Sequence, residues 1–243
     1  PAAEAPKVMI FAPHPDDECI IGLLPLRLQH ENRWRVINVP VTHGSNPARQ
    51  AERHQELQQA CALLGWTLLP PPPATATEPC PAFSAPQIAR LLEAHRPNLL
   101  LFPHMQDWNA RHISTHRLLI EALRLMPDTF TCLIAETEFW GAMDDPNLLV
   151  EASADDLADL VAATACHTGE VRRNPYHLRL PAWMMDNVRR GAERIHGQGH
   201  AAPEFLFATL YRLQRWKNRQ RIRLAPALLP CTQSPEALLH GSD

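Results

Sequence analysis

Two short segments of the sequence carry histidine and aspartate residues at spacings that suit metal-assisted hydrolysis. The first segment contains His14, Asp16 and Asp17, and the second contains His112 and His116. Imidazole and carboxylate are common zinc ligands, and a catalytic zinc keeps three protein ligands and a water. His14 and Asp17 are about one helical turn apart, so both can face one point while Asp16 is left to act as a general base. A metal that lowers the pKa of water and polarises a carbonyl meets the needs of amide hydrolysis.

Each segment follows a short apolar run that predicts a buried strand. The runs are Val8–Ala12, which ends at Pro13, and Asn98–Phe102, which is followed by Pro103. Continuous apolar runs are typical of parallel strands covered on both faces. Ligands of open α/β sheets bind beyond the carboxyl ends of the strands. We therefore expect the two polar segments to lie at equivalent strand ends, where they could meet.

The elements between and after these segments alternate between strands and helices. This pattern predicts an α/β fold with a mostly parallel sheet, helices on both faces and a helix-rich carboxyl-terminal part. Pro25 is expected to kink the first helix, and Gly65 is expected to cap the second. The further predicted strands are 35–41, 66–69 and 131–135, and the predicted helices are 19–29, 48–64, 87–95, 116–125, 154–164 and 181–197.

Composition limits the classes of protein to which the chain can belong. The 243 residues have a formal net charge of -3, so no basic excess indicates a nucleic-acid or anionic membrane partner. No apolar run approaches the ~18 residues of a membrane span, and the amino terminus lacks a signal-peptide pattern. The six cysteines form no close pair, which favours reduced thiols and a cytoplasmic protein. We expect one domain over residues 1–243.

The residues alone leave other interpretations open. Acidic residues between a strand and a helix are often only helix caps. Paired aspartates after a first strand also bind magnesium in phosphoryl-transfer receiver domains. That class needs a third acidic residue at a later strand end and a lysine beyond it, whereas this chain offers His112 and His116 there.

A resemblance to a known family adds to this reading. The heptapeptide Ala12–Glu18, directly after the first predicted strand, resembles the signature of the LmbE/PIG-L family of zinc-dependent N-deacetylases. The likeness spans about residues 7–171, which we expect to form the core, with a helical extension over about 172–243. Further segments that resemble the family are Thr42–Ser45, Arg53–Leu57, Ala60–Gly65, His112–His116 and Ala165–Thr168.

The resemblance implies a Rossmann-like fold and one divalent metal per chain, usually zinc. By position, His14 and Asp17 match metal ligands, and Asp16 matches the general base. His116 matches the third ligand, and His112 matches a catalytic histidine that assists the tetrahedral intermediate. The implied reaction removes an N-acyl group, with acetyl expected, from a small-molecule sugar or glycoconjugate.

One departure from the family pattern bears on the second histidine segment. Many members place the two histidines three residues apart, within His-x-Asp-His, whereas His112 and His116 are four apart with Thr115 between them. Both spacings keep two side chains on one face of a helix. With Thr115 in place of the acidic residue, the segment lacks a carboxylate that could support a metal-binding histidine.

Two more residues are predicted to bind substrate, and several questions stay open. Arg53 offers a fork of donors for a hydroxyl or phosphate, although an ion pair with Glu56 explains it as well. Asp107 lies at a predicted strand end. The alternatives are an amidase that acts on a larger acyl group or a thiol conjugate, and a carbohydrate-binding relative without activity. The sequence leaves open the substrate, the native metal and whether the chain forms a homo-oligomer.

Overall fold

One mixed sheet runs through the part of the chain that the structure describes. The structure is a computed structural model that describes residues 5–72, 82–139 and 141–240. Its strands run in the order β3-β2-β1-β4-β5-β7-β6-β9, and β8 pairs with β7. The strands are β1 (Lys7–Ala12), β2 (Arg35–Pro40), β3 (Thr67–Leu68), β4 (Leu99–Pro103), β5 (Cys132–Thr137), β6 (Leu148–Ala152), β7 (Phe207–Lys217), β8 (Gln220–Arg223) and β9 (Ala227–Leu229).

Helices cover both faces of the sheet, which confirms the predicted α/β fold. They are α1 (Asp17–Ile21), α2 (Leu23–Asn32), α3 (Gln50–Leu64), preceded by a 3-10 turn at Pro47–Arg49, α4 (Ala85–His95), α5 (Ala110–Leu125), α6 (Ala154–Ala165), α7 (Thr168–Arg173), α8 (Tyr176–His196) and α9 (Pro235–His240). Gly65 ends α3 with a φ of 66°, as predicted for a cap.

Alternate residues of the central strands enter two separate cores. In β1, Met9 packs into the core that holds α4 and α5, whereas Val8 packs into the core that holds α1, α2, α3 and α6. Strands β2, β1, β4 and β5 lie side by side and are parallel to one another. Because both faces are buried, these strands are apolar without alternation, and this is why they were predictable from the sequence.

The break between the first two helices lies at Gly22 and not at Pro25. A Cβ on Gly22 would lie 2.5 Å from the carbonyl oxygen of Glu18 and 2.6 Å from the Trp66 ring, so only glycine fits there. Pro25 is the third residue of α2. In the first turn its missing amide has no intrahelical partner, and so it causes no kink.

The carboxyl-terminal part contains a central strand that the sequence analysis did not assign. Strand β7 lies antiparallel between β5 and β6. It carries Thr209, Arg212 and Gln214, which are buried although they are polar. Arg212 donates to Glu136 of β5 at 2.7 Å, so a partner far along the chain makes its burial possible.

A buried arginine joins this part to the amino-terminal half. Arg27 of α2 is fully buried and pairs with Glu31 at 2.6 Å. Its guanidinium also donates to four backbone carbonyls, those of Glu151, Leu229, Pro230 and Gln233. No disulfide joins the described cysteines, and Cys80 lies outside the described residues. Among the described helices, none is long and apolar enough to cross a membrane.

Candidate active site

The two polar segments meet at the carboxyl edge of the sheet. The loop after β1 leads into α1, and the loop after β4 leads into α5. Since β1 and β4 are adjacent and parallel, the first turns of the two helices lie close together. The side chain of Asn109 accepts a hydrogen bond from the amide of Arg111 at 2.9 Å and caps α5. His112 therefore lies in the first turn of this helix.

His14, Asp17 and His112 converge on one point at this edge. Nδ1 of His14 and Nε2 of His112 lie 3.2 Å and 3.4 Å from Oδ2 of Asp17. One ligand atom from each residue lies within 4.8 Å of the other two. The buried Nε2 of His112 has no hydrogen-bond partner among the described residues. Two imidazoles and a carboxylate, with one ring nitrogen left unpaired, fit a divalent transition metal such as zinc.

Asp107 orients the ring of His112. Its Oδ2 lies 3.0 Å from Nδ1 of His112, and both side chains are buried. Its Oδ1 accepts a hydrogen bond from the amide of Asn109 at 2.8 Å. A carboxylate on one ring nitrogen fixes the tautomer and directs the other nitrogen outward. The structure thus places Asp107 behind His112, away from the cavity in which a substrate-binding role was expected.

His116 lies one turn further along α5 and is not part of the convergent group. Its Nδ1 donates to the carbonyl of Pro103 at 2.9 Å and lies 3.4 Å from Oε1 of Glu136. Its ring packs against Phe102 with 5.6 Å between centroids. Burial lowers the pKa of His116, and Glu136 offsets this only in part. The structure therefore brings His112, rather than His116, to the other two predicted ligands.

The charges of the convergent group are strongly linked. Burial opposes the ionised form of Asp17, but the charge and hydrogen bonds of His112 and His14 outweigh burial and lower the pKa of Asp17. Burial also opposes protonation of His112, but Asp17 and Asp107 outweigh it and raise the pKa of His112 to about 10. Two carboxylates thus attract a positive charge to this point, and a metal would replace the proton.

Asp16 stands next to the group in an unusual backbone conformation. Its φ is 110°, a left-handed region that is costly for a residue other than glycine. Its amide donates to Oε2 of Glu18 at 3.0 Å, and its Oδ1 lies 3.7 Å from Arg53. Burial and the neighbouring carboxylate of Asp17 raise the pKa of Asp16, and Arg53 opposes this rise. A buried carboxylate with a raised pKa suits a group that accepts and returns a proton.

A buried histidine from a distant segment holds Glu18 in place. Nε2 of His167 lies 2.8 Å from Oε1 of Glu18, and both side chains are fully buried. Cys19 donates its thiol to the same oxygen at 3.2 Å. Burial raises the pKa of the Cys19 thiol well above its usual value, so it stays protonated and is a poor metal ligand. The three residues act as a support for the Asp16 loop.

Three arginines surround one carboxylate on the wall beside Asp16. Glu170 of α7 lies 2.8 Å from Arg49, 3.9 Å from Arg53 and 2.5 Å from Arg173. Arg53 also donates to the carbonyl of Pro15 at 2.8 Å. Although burial opposes ionisation of Glu170, the arginines outweigh it and lower its pKa. Arg53, predicted to bind substrate or to pair with Glu56, faces Glu170 and the Asp16 loop.

A large open cavity lies above the convergent group. Its volume is about 1020 Å³, which is enough for a disaccharide-sized ligand. Asp16, Asp17 and His14 form part of its floor. The other residues that line it are His43, Gly44, Ser45, Asn46, Arg49, Arg53, Trp108, Asn109, Ala110, Arg111, Ser114, Glu170, Arg173, Asn174, Tyr176 and Arg179.

Of three further residues near the site, His43 and Trp108 line this cavity, whereas His104 does not. His43 lines it and lies 3.1 Å from His54, ring nitrogen to ring nitrogen. Burial, His54 and Arg53 lower the pKa of His43 to about 4, so its ring is neutral at pH 7. His104 is fully buried and donates to the carbonyl of Gly141 at 2.7 Å. Trp108 is 69% exposed at the cavity wall, where a flat ligand could stack.

Several residues of the site were not singled out from the sequence. Glu18 is part of the quoted heptapeptide, but its contact with His167 joins residues 149 positions apart. Glu170 and Tyr176 lie close to Ala165–Thr168, the last segment that resembles the family. Glu170 faces the cavity because α7 packs beside α3, and Tyr176 lines it from the start of α8.

An α/β fold with two imidazoles and a carboxylate grouped at its carboxyl edge, below an open cavity, defines a protein that could hold a metal ion and a small ligand together. Residues 9–123 match the family described as PIG-L, GlcNAc-PI de-N-acetylase. This match covers the heptapeptide and both histidine segments, and it confirms the resemblance to the LmbE/PIG-L family. No curated protein matches the chain.

Solved structures share the fold at low sequence identity. N,N'-diacetylchitobiose deacetylase from Pyrococcus horikoshii is 16% identical, with a TM-score of 0.63 and coverage of 86% of this chain and 84% of its own. GalB, a 4-carboxy-2-hydroxymuconate hydratase from Pseudomonas putida KT2440, is 15% identical, with a TM-score of 0.63 and coverage of 86% and 96%. The zinc-inhibited form of teicoplanin deacetylase Orf2 is 12% identical, with a TM-score of 0.58 and coverage of 86% and 98%. Because a hydratase and deacetylases are both similar, the fold alone does not select one reaction.

Proposed function

We propose that the chain is a metal-dependent hydrolase that removes an N-acyl group, acetyl in the first instance, from a sugar or sugar conjugate. The observation that carries this proposal is the convergence of His14, Asp17 and His112 beside Asp16 on the floor of one cavity. The match to the de-N-acetylase family and the deacetylases that share the fold support the same reaction.

We propose zinc as the metal, held by His14, Asp17 and His112. Two neutral imidazoles and one carboxylate are a common zinc set, and Asp107 gives His112 the carboxylate partner that zinc-binding histidines usually have. When bound, such an ion lowers the pKa of water and polarises the amide carbonyl. This assignment replaces His116 as the third ligand and gives His112 that role in place of acid catalysis.

Asp16 is the general base in this proposal. It is buried at the cavity floor next to Asp17, so its carboxylate can take a proton from the attacking water. Its raised pKa lets it keep that proton and return it to the leaving amine nitrogen. Arg53 limits the rise in pKa and fixes the loop through the carbonyl of Pro15. Glu18 and His167 hold the Asp16 amide from behind.

The experiment is an amine-release assay on N-acetylglucosamine and N,N'-diacetylchitobiose with zinc-loaded protein. Asp16→Asn should lower kcat by about 10²- to 10⁴-fold and retain one zinc per chain. Asp155→Asn, a change at an exposed aspartate in the first turn of α6, is the matched control and should keep full activity. Loss of zinc from Asp16→Asn would contradict the general-base assignment. A wild-type protein that binds zinc but releases no amine from any N-acyl sugar would contradict the proposed reaction.

A further inference from the structure

The cavity over the proposed metal site holds more positive charge than its own carboxylates can balance. Five arginines and three carboxylates line it. Asp16 lies 3.7 Å from Arg53 but is the proposed base, and Asp17 is a proposed metal ligand, so Glu170 is the one remaining carboxylate among the described lining residues. Its side chain is 4% exposed and contacts Arg49, Arg53 and Arg173 at once. Glu52, which does not line the cavity, adds a contact to Arg49 at 3.5 Å, so two glutamates face three guanidinium groups on this side of the cavity.

Two further arginines line the same cavity, and neither has an acidic partner among the described residues. Arg111 lies in the first turn of α5, and Arg179 lies in the first turns of α8. Both are exposed, and within the described parts of the chain neither side chain forms an ion pair or a hydrogen bond. Arg111 and Arg179 thus face the space above the proposed metal ligands, as do the three arginines that contact Glu170. A bound divalent cation would add to this positive charge.

We infer that the substrate carries an anionic group, a phosphate or a carboxylate, which Arg111, Arg179 and the exposed side of Arg173 bind. This inference rests on the proposed function, because it names the class of N-acyl sugar that the site accepts. Guanidinium groups bind phosphate and carboxylate oxygens through paired donors. The chain as a whole has a net charge of -3, so the excess of positive charge is local to the cavity. A local excess favours a small anionic ligand over a nucleic acid.

The glycosyl part of such a substrate has room beside the arginines. Trp108 and Tyr176 line the cavity and offer flat surfaces for a sugar ring. Arg53 connects the charged wall to the loop of Asp16 through the carbonyl of Pro15. We call Arg111, Arg173 and Arg179 the arginine wall. An anionic group bound there would position the N-acyl nitrogen toward the cavity floor.

The test compares N-acetyl sugars with and without an anionic substituent. Zinc-loaded wild type and the double variant Arg111→Gln/Arg179→Gln are assayed on N-acetylglucosamine, N-acetylglucosamine 6-phosphate and N-acetylmuramic acid, a carboxylate. The wild type should prefer a charged substrate by about tenfold or more in kcat/KM, and the double variant should lose most of that ratio. Added salt should also lower the ratio, because ions screen exposed charges. The phosphate and carboxylate substrates show which anion the arginines select.

Controls separate the arginine wall from the metal and from the fold. Arg117→Gln on α5 and Arg172→Gln on α7 change exposed arginines that do not line the cavity, and they should keep the wild-type ratio. Zinc content and circular dichroism of each variant check the metal site and the fold. Equal turnover of charged and neutral substrates, or a ratio that the double variant keeps, overturns the inference and leaves the proposed hydrolysis intact.

If none of the three sugars releases amine, a binding measurement still tests the anion site. Calorimetry of zinc-loaded protein then compares glucosamine 6-phosphate with glucosamine. Binding of the phosphate that the double variant weakens about tenfold supports the anion site and contradicts only the proposed reaction. If the wild type and the double variant bind glucosamine 6-phosphate equally, the metal alone binds the phosphate group, and the inference is overturned. No binding of the phosphate also overturns it.

Discussion

The same substitution at two histidines of one helix tests which of them belongs to the proposed metal centre. His112→Gln and His116→Gln each replace an imidazole by an amide of similar length. Glutamine at position 112 can still donate to Asp107, and glutamine at position 116 can still donate to the carbonyl of Pro103. Both variants should therefore fold, and the difference between them should report on the metal.

The expected magnitudes follow from the contacts of each ring. His112→Gln removes one of the three proposed ligands. Loss of a group behind a ligand already costs 10- to 100-fold in metal affinity, so loss of the ligand itself should cost about 100-fold or more. His116→Gln removes the packing on Phe102 and weakens the hydrogen bond to Pro103. It should lower the free energy of unfolding by about 1–2 kcal/mol and leave the metal affinity unchanged.

Two measurements check these magnitudes. Competition with a fluorescent chelator gives the zinc affinity of the wild type and both variants. Urea unfolding with and without zinc gives the stabilisation by metal, which is about 2.7 kcal/mol when free zinc is 100 times its dissociation constant. The wild type and His116→Gln should be stabilised by zinc, and His112→Gln should not.

The reasoning would be refuted by the opposite pattern. If His116→Gln loses zinc and His112→Gln keeps it, the assignment by position in the family pattern is right and the convergence of His14, Asp17 and His112 has no bearing on the metal. Equal retention of zinc by both variants would also exclude His112 as a ligand.

Three further predictions concern the support of the site, its protons and the fold. Glu18→Gln replaces the carboxylate that accepts the hydrogen bond of the Asp16 amide by a side-chain amide. It should lower kcat about tenfold and leave zinc content and KM unchanged. A wild-type kcat in steady-state kinetics would exclude a positioning role for Glu18. The pKa of His112 is raised to about 10, so the metal-free protein holds a proton on this ring at pH 7. Protonated His112 stabilises the fold fully below pH 6.5, about the pKa of an unfolded histidine, and this stabilisation is lost as the pH rises through 10. Zinc binding at pH 7 should then release about one proton, and calorimetric heats that do not depend on the buffer would argue against this. Arg27→Met leaves four carbonyls without their donor and should lower the free energy of unfolding by about 3 kcal/mol in urea, whereas Arg117→Met at an exposed position should change it little.

The central strands and the first half of the site were predictable because their signals are local. Val8–Ala12 is apolar throughout since both its faces are buried, and His14, Asp16 and Asp17 follow within one turn of the strand end. The register of parallel strands then brings the loops after β1 and β4 to one edge. These steps need only periodicity and the rule that ligands bind at carboxyl ends.

The parts that sequence reasoning missed depend on partners far along the chain. His112 and His116 lie on one helix, and their spacing could not show that α5 begins at Ala110 and so turns only His112 toward Asp17. Strand β7 contains Arg212, whose burial depends on Glu136. The support of Glu18 by His167 has the same cause, because no local pattern reveals a partner 149 residues away.

The position of β7 between β5 and β6 determines when the sheet can finish pairing during synthesis of the chain. Strand β6 pairs only with β7 and β9 among the described strands, so it has no neighbour in the sheet until residues 207–217 leave the ribosome. Until then the outer edge of β5 is open, and an unpaired apolar edge invites association with other chains. Helix α7, with Glu170, and His167 before it lie between β6 and β7 in the chain. A nascent chain therefore carries the proposed metal ligands, His14, Asp17 and His112, long before the strand that joins β5 to β6 has been made.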